Sequence, residues 1–380
     1  MSNSLRSEKS FENAYRGDNF GFIIQCLYIL GLTDLKPRRN FEKIASYFFI
    51  IMLHLTFIDF LVMSFVSSSK DWFNWKVNSA YIVGQILYML AWYSMRFQRK
   101  KIMPLLKNIE LITKPIMKRK INICLGVVFF HYFVFFPIVL SLLFFKDYRD
   151  LYLDFLMYGL NLGSELFKTI YFAVKLMLML SFVQFCNAVI LMLFLTINYK
   201  VATSLEEFKN DINSISSEEI ANSQLILANK YIKIINILKE IQAIFSVSSF
   251  CLCLGYIAAS YASLSFLLLS TEIFPKPILF EHVFVFISNS ISLVSVFYFA
   301  GRIPIKMADI KSAFYTKYVT AISALHSVNL SEKLTTLNKL VDLPEIVLSG
   351  CDILYYSKQN IFSTLGFFIT YGLVLLQFNQ

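Results

Sequence analysis

Long apolar blocks alternate with basic, charge-bearing stretches along this chain, and the alternation sets its expected elements. A helix needs ~20 apolar residues to cross the hydrocarbon layer of a bilayer. Seven blocks answer to that: Ile44–Val66, Val77–Met95, Ile121–Phe145 with Pro137 as an expected kink, Thr169–Ile197, Ile241–Leu269, Ile278–Ala300 and Ile361–Phe378. The expected fold class is an all-α membrane protein with seven transmembrane helices. An earlier apolar run, Phe20–Leu32, is too short to span, and KPRR follows it closely. It reads as an interfacial or packed helix.

The last block carries a finer pattern. At 3.6 residues per turn, Ser363, Gly366, Thr370, Leu373 and Gln377 fall on one stripe, and Thr364, Tyr371 and Phe378 on a second beside it. A lipid-facing helix has no use for a line of hydroxyls ending in an amide. Two readings stay open for it: packing, with Ser and Thr bonded back to their own backbone, or a pore wall.

Composition agrees with the class. Of 380 residues, 57% are hydrophobic, 17% aromatic and only 16% charged. The formal net charge of +10 does not point to nucleic acid, because its placement gives orientation instead. Of the 35 Lys and Arg, 28 fall before Lys43 inclusive or in the segments 96–120, 198–240 and 301–360. Six fall on the other side, and Lys175 alone lies inside a span. The positive-inside rule then puts the amino terminus in the cytoplasm and the carboxy terminus outside. That is the reverse of a G-protein-coupled receptor. The sequon at Asn329 falls on the cytoplasmic side, where it stays unmodified. The amino-terminal residues do not resemble a signal peptide.

The chain divides into a cytoplasmic amino-terminal segment, 1–43, and one channel-like unit, 44–380, with helical cytoplasmic loops at 96–120, 198–240 and 301–360 and a final helix at 361–378. The basic amphipathic stretch from Gln98 to Lys120 is expected to be broken by Pro104 and Pro115 and held at the anionic inner leaflet, which makes membrane lipids partners. The 301–360 segment reads as two helices separated near Asn329. Six cysteines have neither disulfide nor metal spacing and read as free thiols. No HExxH, Ser/His/Asp arrangement or phosphate-binding Gly loop is present, and four scattered His suit no metal site, so no enzyme, metal or cofactor is expected. A transporter would show repeated halves with paired helix breaks, and the chain has neither.

At Thr370 a motif appears. Thr370-Tyr371-Gly372-Leu373-Val374-Leu375-Leu376-Gln377-Phe378 resembles the TYhhhhhQF signature that closes insect gustatory receptors, with Gly372 standing at the first hydrophobic position. The signature covers only the end of the chain. Elsewhere the resemblance is one of span number, orientation and length. It implies a plasma-membrane channel of gustatory neurons, gated by a small-molecule tastant and passing Na⁺, K⁺ and Ca²⁺ alike. It implies a homotetramer, or a heterotetramer with related receptors, anchored by the cytoplasmic helices and with the seventh helix of each subunit lining the pore. Gln377 and Phe378 are then expected at the outer constriction, with Leu373, Thr370 and Ser363 below them and Tyr371 in packing. Four Phe378 rings can close a narrow pore by dewetting, and four Gln377 amides offer a cation polar partners once it widens. An odorant-receptor-type subunit that needs a co-receptor is the alternative within the superfamily.

The resemblance also implies a ligand pocket in the outer half of spans two to six. By span direction that half holds Tyr81, Gln85 and Tyr88 on span two, and His131 and Phe135 on span three. Tyr158, Asn161, Glu165, Tyr171 and Lys175 lie about span four, Tyr256 and Tyr261 on span five, and His282, Phe286, Asn289 and Ser290 on span six. Aromatics with a few amides and hydroxyls suit a sugar or an alkaloid. Each is equally readable as packing. Lys175 reads as a paired or snorkelling cation, or as a ligand contact.

Overall fold

The computed structural model describes residues 21–33, 40–69, 75–113, 158, 164–216, 219–269, 276–325 and 345–377. Span three, with His131, Phe135 and Pro137, lies outside them. So do Asn161, Cys124, the sequon and everything after Gln377.

Helix α1 (Gly21–Ile29) is the short run after the polar amino terminus. It buries Ile23 and Leu27, and Leu30 and Leu32 in the turn after it are buried too. The Trp92 indole N–H donates to the Leu30 carbonyl at 3.1 Å, so α1 is a packed helix, tied to span two. Helix α2 (Asn40–Ser69) leaves Ile44, Phe48, Ile51, Leu55, Ile58, Val62 and Phe65 exposed. Their three- and four-residue spacing makes one apolar stripe along its length, which a bilayer covers and water does not. Four of the described helical stretches are long and apolar enough to cross a membrane: Lys43–Val66, Leu166–Ser214, Asn222–Leu268 and Leu279–Ser323.

Helix α3 (Trp75–Phe97) continues after Gln98 into α4 (Arg99–Ile112). Here the expectation at Pro104 fails: the helix runs through it. Proline forfeits one backbone bond, but burial of Ile102, Leu105, Leu106 and Ile109 holds the amphipathic turn together. Helix α4 ends at Thr113, whose extended φ and ψ (−99° and 131°) precede Lys114-Pro115.

The 198–240 segment, read as helical, is largely helix and is continuous with the apolar stretches on either side. Helix α5 (Glu165–Met179) passes through a π turn (Leu180–Gln184) into α6 (Phe185–Ser214), and after a short turn α7 (Ile220–Leu269) runs for 50 residues without a break. At 1.5 Å per residue α7 is ~75 Å long, more than twice what the hydrocarbon layer of a bilayer requires. Helix α6 is enclosed on all sides from Cys186 to Ile197 and forms the axis of the bundle. Helix α8 (Lys276–Ala300) meets the boundaries expected of span six, and α9 (Arg302–Leu325) follows after Gly301.

Phe208, Tyr231 and Phe314 join α6, α7 and α9, with ring centroids 5.9–6.0 Å apart. Lys306 of α9 pairs with Glu206 and with Asp309 at 3.5 Å, and Lys230 with Asp211 at 2.6 Å. The 301–360 segment departs from two plain helices. A two-stranded antiparallel hairpin, β1 (Ser349–Gly350) and β2 (Leu354–Tyr355), precedes the last helix, α10 (Gln359–Gln377). The fold is mostly helical, with this hairpin as its sheet among the described residues. Cys26, Cys186, Cys251, Cys253 and Cys351 are free thiols.

Candidate ligand site and pore face

Helices α3 and α7 cross closely because Gly84 and Gly255 face each other. A Cβ on Gly84 would lie 3.6 Å from the Gly255 carbonyl, and one on Gly255 would lie 2.5 Å from the Tyr88 ring. Glycine at 255 therefore lets Tyr88 lie flat on α7. The buried Tyr88 ring meets Tyr256 at 5.7 Å, and its hydroxyl reaches the Asn289 side chain at 3.4 Å. The Asn289 amide also donates to its own helix at the Val285 carbonyl, at 2.9 Å. Two turns along α3, the Tyr81 hydroxyl lies 2.9 Å from His282 Nδ1 and 3.1 Å from Ser263 Oγ, while the buried His282 ring stacks on Phe266 at 3.9 Å. These contacts unite Tyr81, Tyr88, Tyr256, His282 and Asn289 into one polar seam between α3, α7 and α8. Gln85 and Ser290 lie half-buried on the same two helices, α3 and α8.

A second group forms elsewhere. The buried Lys175 ammonium lies 3.1 Å from Asp59 on α2, 3.3 Å from the Tyr158 hydroxyl, 4.3 Å from the centre of that ring and 5.7 Å from that of Tyr171. The Tyr158 hydroxyl also donates to Asp59. Lys175 thus has a carboxylate partner and two aromatic faces, as a cation taken out of water requires. Lys175 was the one basic residue inside a span, and any such charge demands a partner. That Asp59 supplies it, 116 positions away, is a tertiary fact. Glu165 begins α5, and its side chain lies outside the described atoms.

The remaining two candidates sit against the last helix rather than in the seam. The Tyr261 hydroxyl bonds that of Tyr371 at 2.7 Å, and Phe286 meets Phe368 at 5.6 Å. Between α3, α7 and α10 lies an apolar cavity of about 310 Å³, lined by Val83, Leu87, Leu254, Ala258, Tyr261 and Phe367 among others. Of the residues singled out from sequence only Tyr261 lines it. Its other walls come from small and apolar positions one turn apart, such as Leu254 and Ala258, which look like ordinary packing in a sequence.

The two stripes of α10 separate clearly. Phe368 is buried, Thr364 and Tyr371 are half-buried, and the Thr364 hydroxyl bonds back to the Asn360 carbonyl at 2.7 Å. Ser363, Gly366 and Thr370 are exposed, and nothing lies within 4 Å of where a Gly366 side chain would project. Phe362, Leu365, Phe367 and Ile369 are exposed as well, so α10 is fastened to α7 and α8 by one narrow stripe and is uncovered around the rest of its surface. Leu373 and Gln377 continue the outward stripe by backbone register; their side chains, and Phe378, lie outside the described residues.

The fold is shared with solved structures of an insect olfactory receptor. The chain is similar to the insect olfactory receptor OR5 from Machilis hrabei in complex with eugenol, with a TM-score of 0.68 and 13% identity over 94% of this chain and 98% of that one. A second structure of the same receptor aligns with a TM-score of 0.63 and 12% identity over 94% and 97%. No protein-family model and no curated protein matches the sequence.

Proposed function

We propose that the chain is a subunit of a tastant-gated, poorly selective cation channel of the insect gustatory-receptor type, in which the last helices of four subunits line a central pore. The observation that carries this reading is the polar character of one stripe on the uncovered side of α10: Ser363, Gly366 and Thr370 lie away from the packed positions Phe368 and Tyr371. A polar stripe has no stable partner in lipid, and water or another copy of the helix suits it. The chemoreceptor fold and the closing TYhhhhhQF pattern support the same reading. Gln377 and Phe378 form the outer constriction, and Na⁺, K⁺ and Ca²⁺ permeate. The tastant enters the seam of Tyr81, Tyr88, Tyr256, His282 and Asn289 from outside. The protein works in the plasma membrane of gustatory neurons, as a homotetramer or with related subunits, and it is not an enzyme. An odorant-type subunit is the alternative. It draws on the likeness to an olfactory receptor solved with eugenol.

The test is whole-cell current from cells expressing this chain, with a panel of sugars, alkaloids, glycosides and volatile phenols. A ligand-evoked cation current is expected, surviving a block of G-protein signalling, with altered gating in Phe378→Ala. Signalling that vanishes under the block overturns the channel. Current evoked only by volatile phenols, and only with a second subunit, favours the odorant reading.

A further inference from the structure

We infer that the corner between α3 and α4 is a binding site for an anionic lipid, with a phosphate-rich headgroup held by Arg96, Arg99 and Lys100 and acyl chains laid along α3. The inference is independent of the channel reading and rests on the chain lying in a bilayer. By the distribution of Lys and Arg, this corner belongs to the inner leaflet.

A cavity of about 430 Å³ opens at this corner, lined by Tyr93, Arg96, Phe97, Arg99 and Lys100. Three of these five side chains are cations, and none of the five is acidic. Two guanidinium forks beside an ammonium suit the oxygens of phosphate groups. The walls are set by the protein itself. The Arg96 guanidinium lies over the Trp92 ring, 5.0 Å from its centre. Gly31, at a φ of 68°, turns the chain beside it: a Cβ there would lie 3.4 Å from Arg96 Nη1 and 2.9 Å from Ile50 Cδ1. Nη1 is buried and has no hydrogen-bond partner among the described residues. The ring and the turn fix where the guanidinium lies without neutralising its charge. Across the cavity, the Tyr93 hydroxyl lies 2.6 Å from His54 Nε2, and His54 Nδ1 donates to the Ile50 carbonyl at 2.7 Å. Tyr93 is thereby pinned to α2.

The uncovered face of α3 selects a lipid over a soluble anion. Ile86, Leu90, Tyr93 and Phe97 are exposed and recur at four-, three- and four-residue steps, so they form one stripe. The stripe is aliphatic in its first half and aromatic in its second, and it runs into the cavity, which Tyr93 and Phe97 line. Phe97, beside the three cations, is 86% exposed. A soluble phosphate compound would leave this stripe bare. A phospholipid covers it with its acyl chains while its headgroup meets the cations. Aromatic rings with cations just beyond them are also what a membrane–water boundary favours, and a basic pocket there suits a phosphorylated headgroup. One phosphodiester carries less charge than three cations can meet, so the fit is to a headgroup bearing further phosphates.

Thermal unfolding of the purified full chain in neutral detergent reads the binding without any current. The probes are dioctanoyl phosphatidylinositol bisphosphate, dioctanoyl phosphatidylserine, dioctanoyl phosphatidylcholine and free inositol trisphosphate. The bisphosphate lipid should raise Tm saturably, and the other three, at equal concentration, should raise it far less. Arg99→Gln with Lys100→Gln should weaken the apparent affinity on the order of tenfold. Lys100 is exposed, so Lys100→Gln alone keeps the fold and should still weaken binding severalfold. Lys233→Gln, which removes an exposed cation of α7 outside the cavity, should bind like wild type. Wild-type affinity in the double variant overturns the site. An equal loss in Lys233→Gln overturns it too, because general surface charge then explains the binding. Inositol trisphosphate that matches the lipid overturns the role of the α3 stripe, and phosphatidylserine that matches it overturns the choice of a phosphate-rich headgroup. A chain that conducts under no ligand ends the channel reading and leaves this titration untouched, and a flat titration ends the lipid site and leaves the channel reading untouched.

Discussion

Lys175 shows what a single charge inside a span requires. Its ammonium is buried against Asp59, Tyr158 and Tyr171. Asp59 keeps 31% of its side-chain surface exposed, so the pair is partly solvated. Lys175→Met should therefore cost about 2 kcal/mol, below the ~3–5 of a broken, fully buried pair. Adding Asp59→Asn should recover part of that loss, because the uncompensated carboxylate goes with it. Thermal unfolding of the purified single and double variants checks this. A double variant less stable than Lys175→Met would mean that the carboxylate has another role. The demand for a partner was legible in the sequence. Its identity was not, since nothing local links positions 59 and 175. Tyr81 and His282 are similar: each read as a polar candidate, and only folding made them a bonded pair.

On the proposed channel reading α10 lines the pore, and its two faces make opposite predictions. With ligand present, cysteine placed at Ser363, Gly366 or Thr370 should react with a water-soluble thiol reagent and reduce the current severalfold. Cysteine at Phe368 should not react. Current recorded before and after reagent decides it, and equal reactivity around the helix would remove the pore wall from this face. The sequence drew both stripes at the right spacing but left packing and pore open between them. The structure shows which stripe is covered, because only the positions of α7 and α8 decide that. The hairpin before α10 left no signal. Two residues per strand are too few to alternate, and its turn uses Cys351 and Asp352 rather than Gly.

At the scale of the molecule, α6, α7 and α9 extend the spans into a bundle closed by aromatic rings and ion pairs. The hydrogen bond from Lys306 to Glu206 holds the Lys306 ammonium above the ordinary lysine range. A raised folded-state value means stability that is fully present below the ordinary lysine pKa and lost as pH rises through the raised one. Lys306→Met should thus lower stability by about 0.5–1 kcal/mol at neutral pH, and the gap should close only as pH rises above the ordinary lysine range. Thermal unfolding of both proteins across that range is the check, and a gap that persists at high pH would assign the loss to packing.

The helical class, most of the spans and the two faces of α10 follow from the chain itself, because hydrocarbon thickness and the 3.6-residue period are imposed on every apolar run alike. The passage through Pro104, the fusion of loop and span into α7, the Asp59–Lys175 pair and the hairpin under α10 were decided in three dimensions. Each depends on what another, sequence-distant helix presents: a buried face that outweighs a lost hydrogen bond, a carboxylate across the bundle, or the polar row of Gln242, Ser246 and Ser249 on α7, bonded to Ser349, Cys351 and Tyr356, that holds a strained turn.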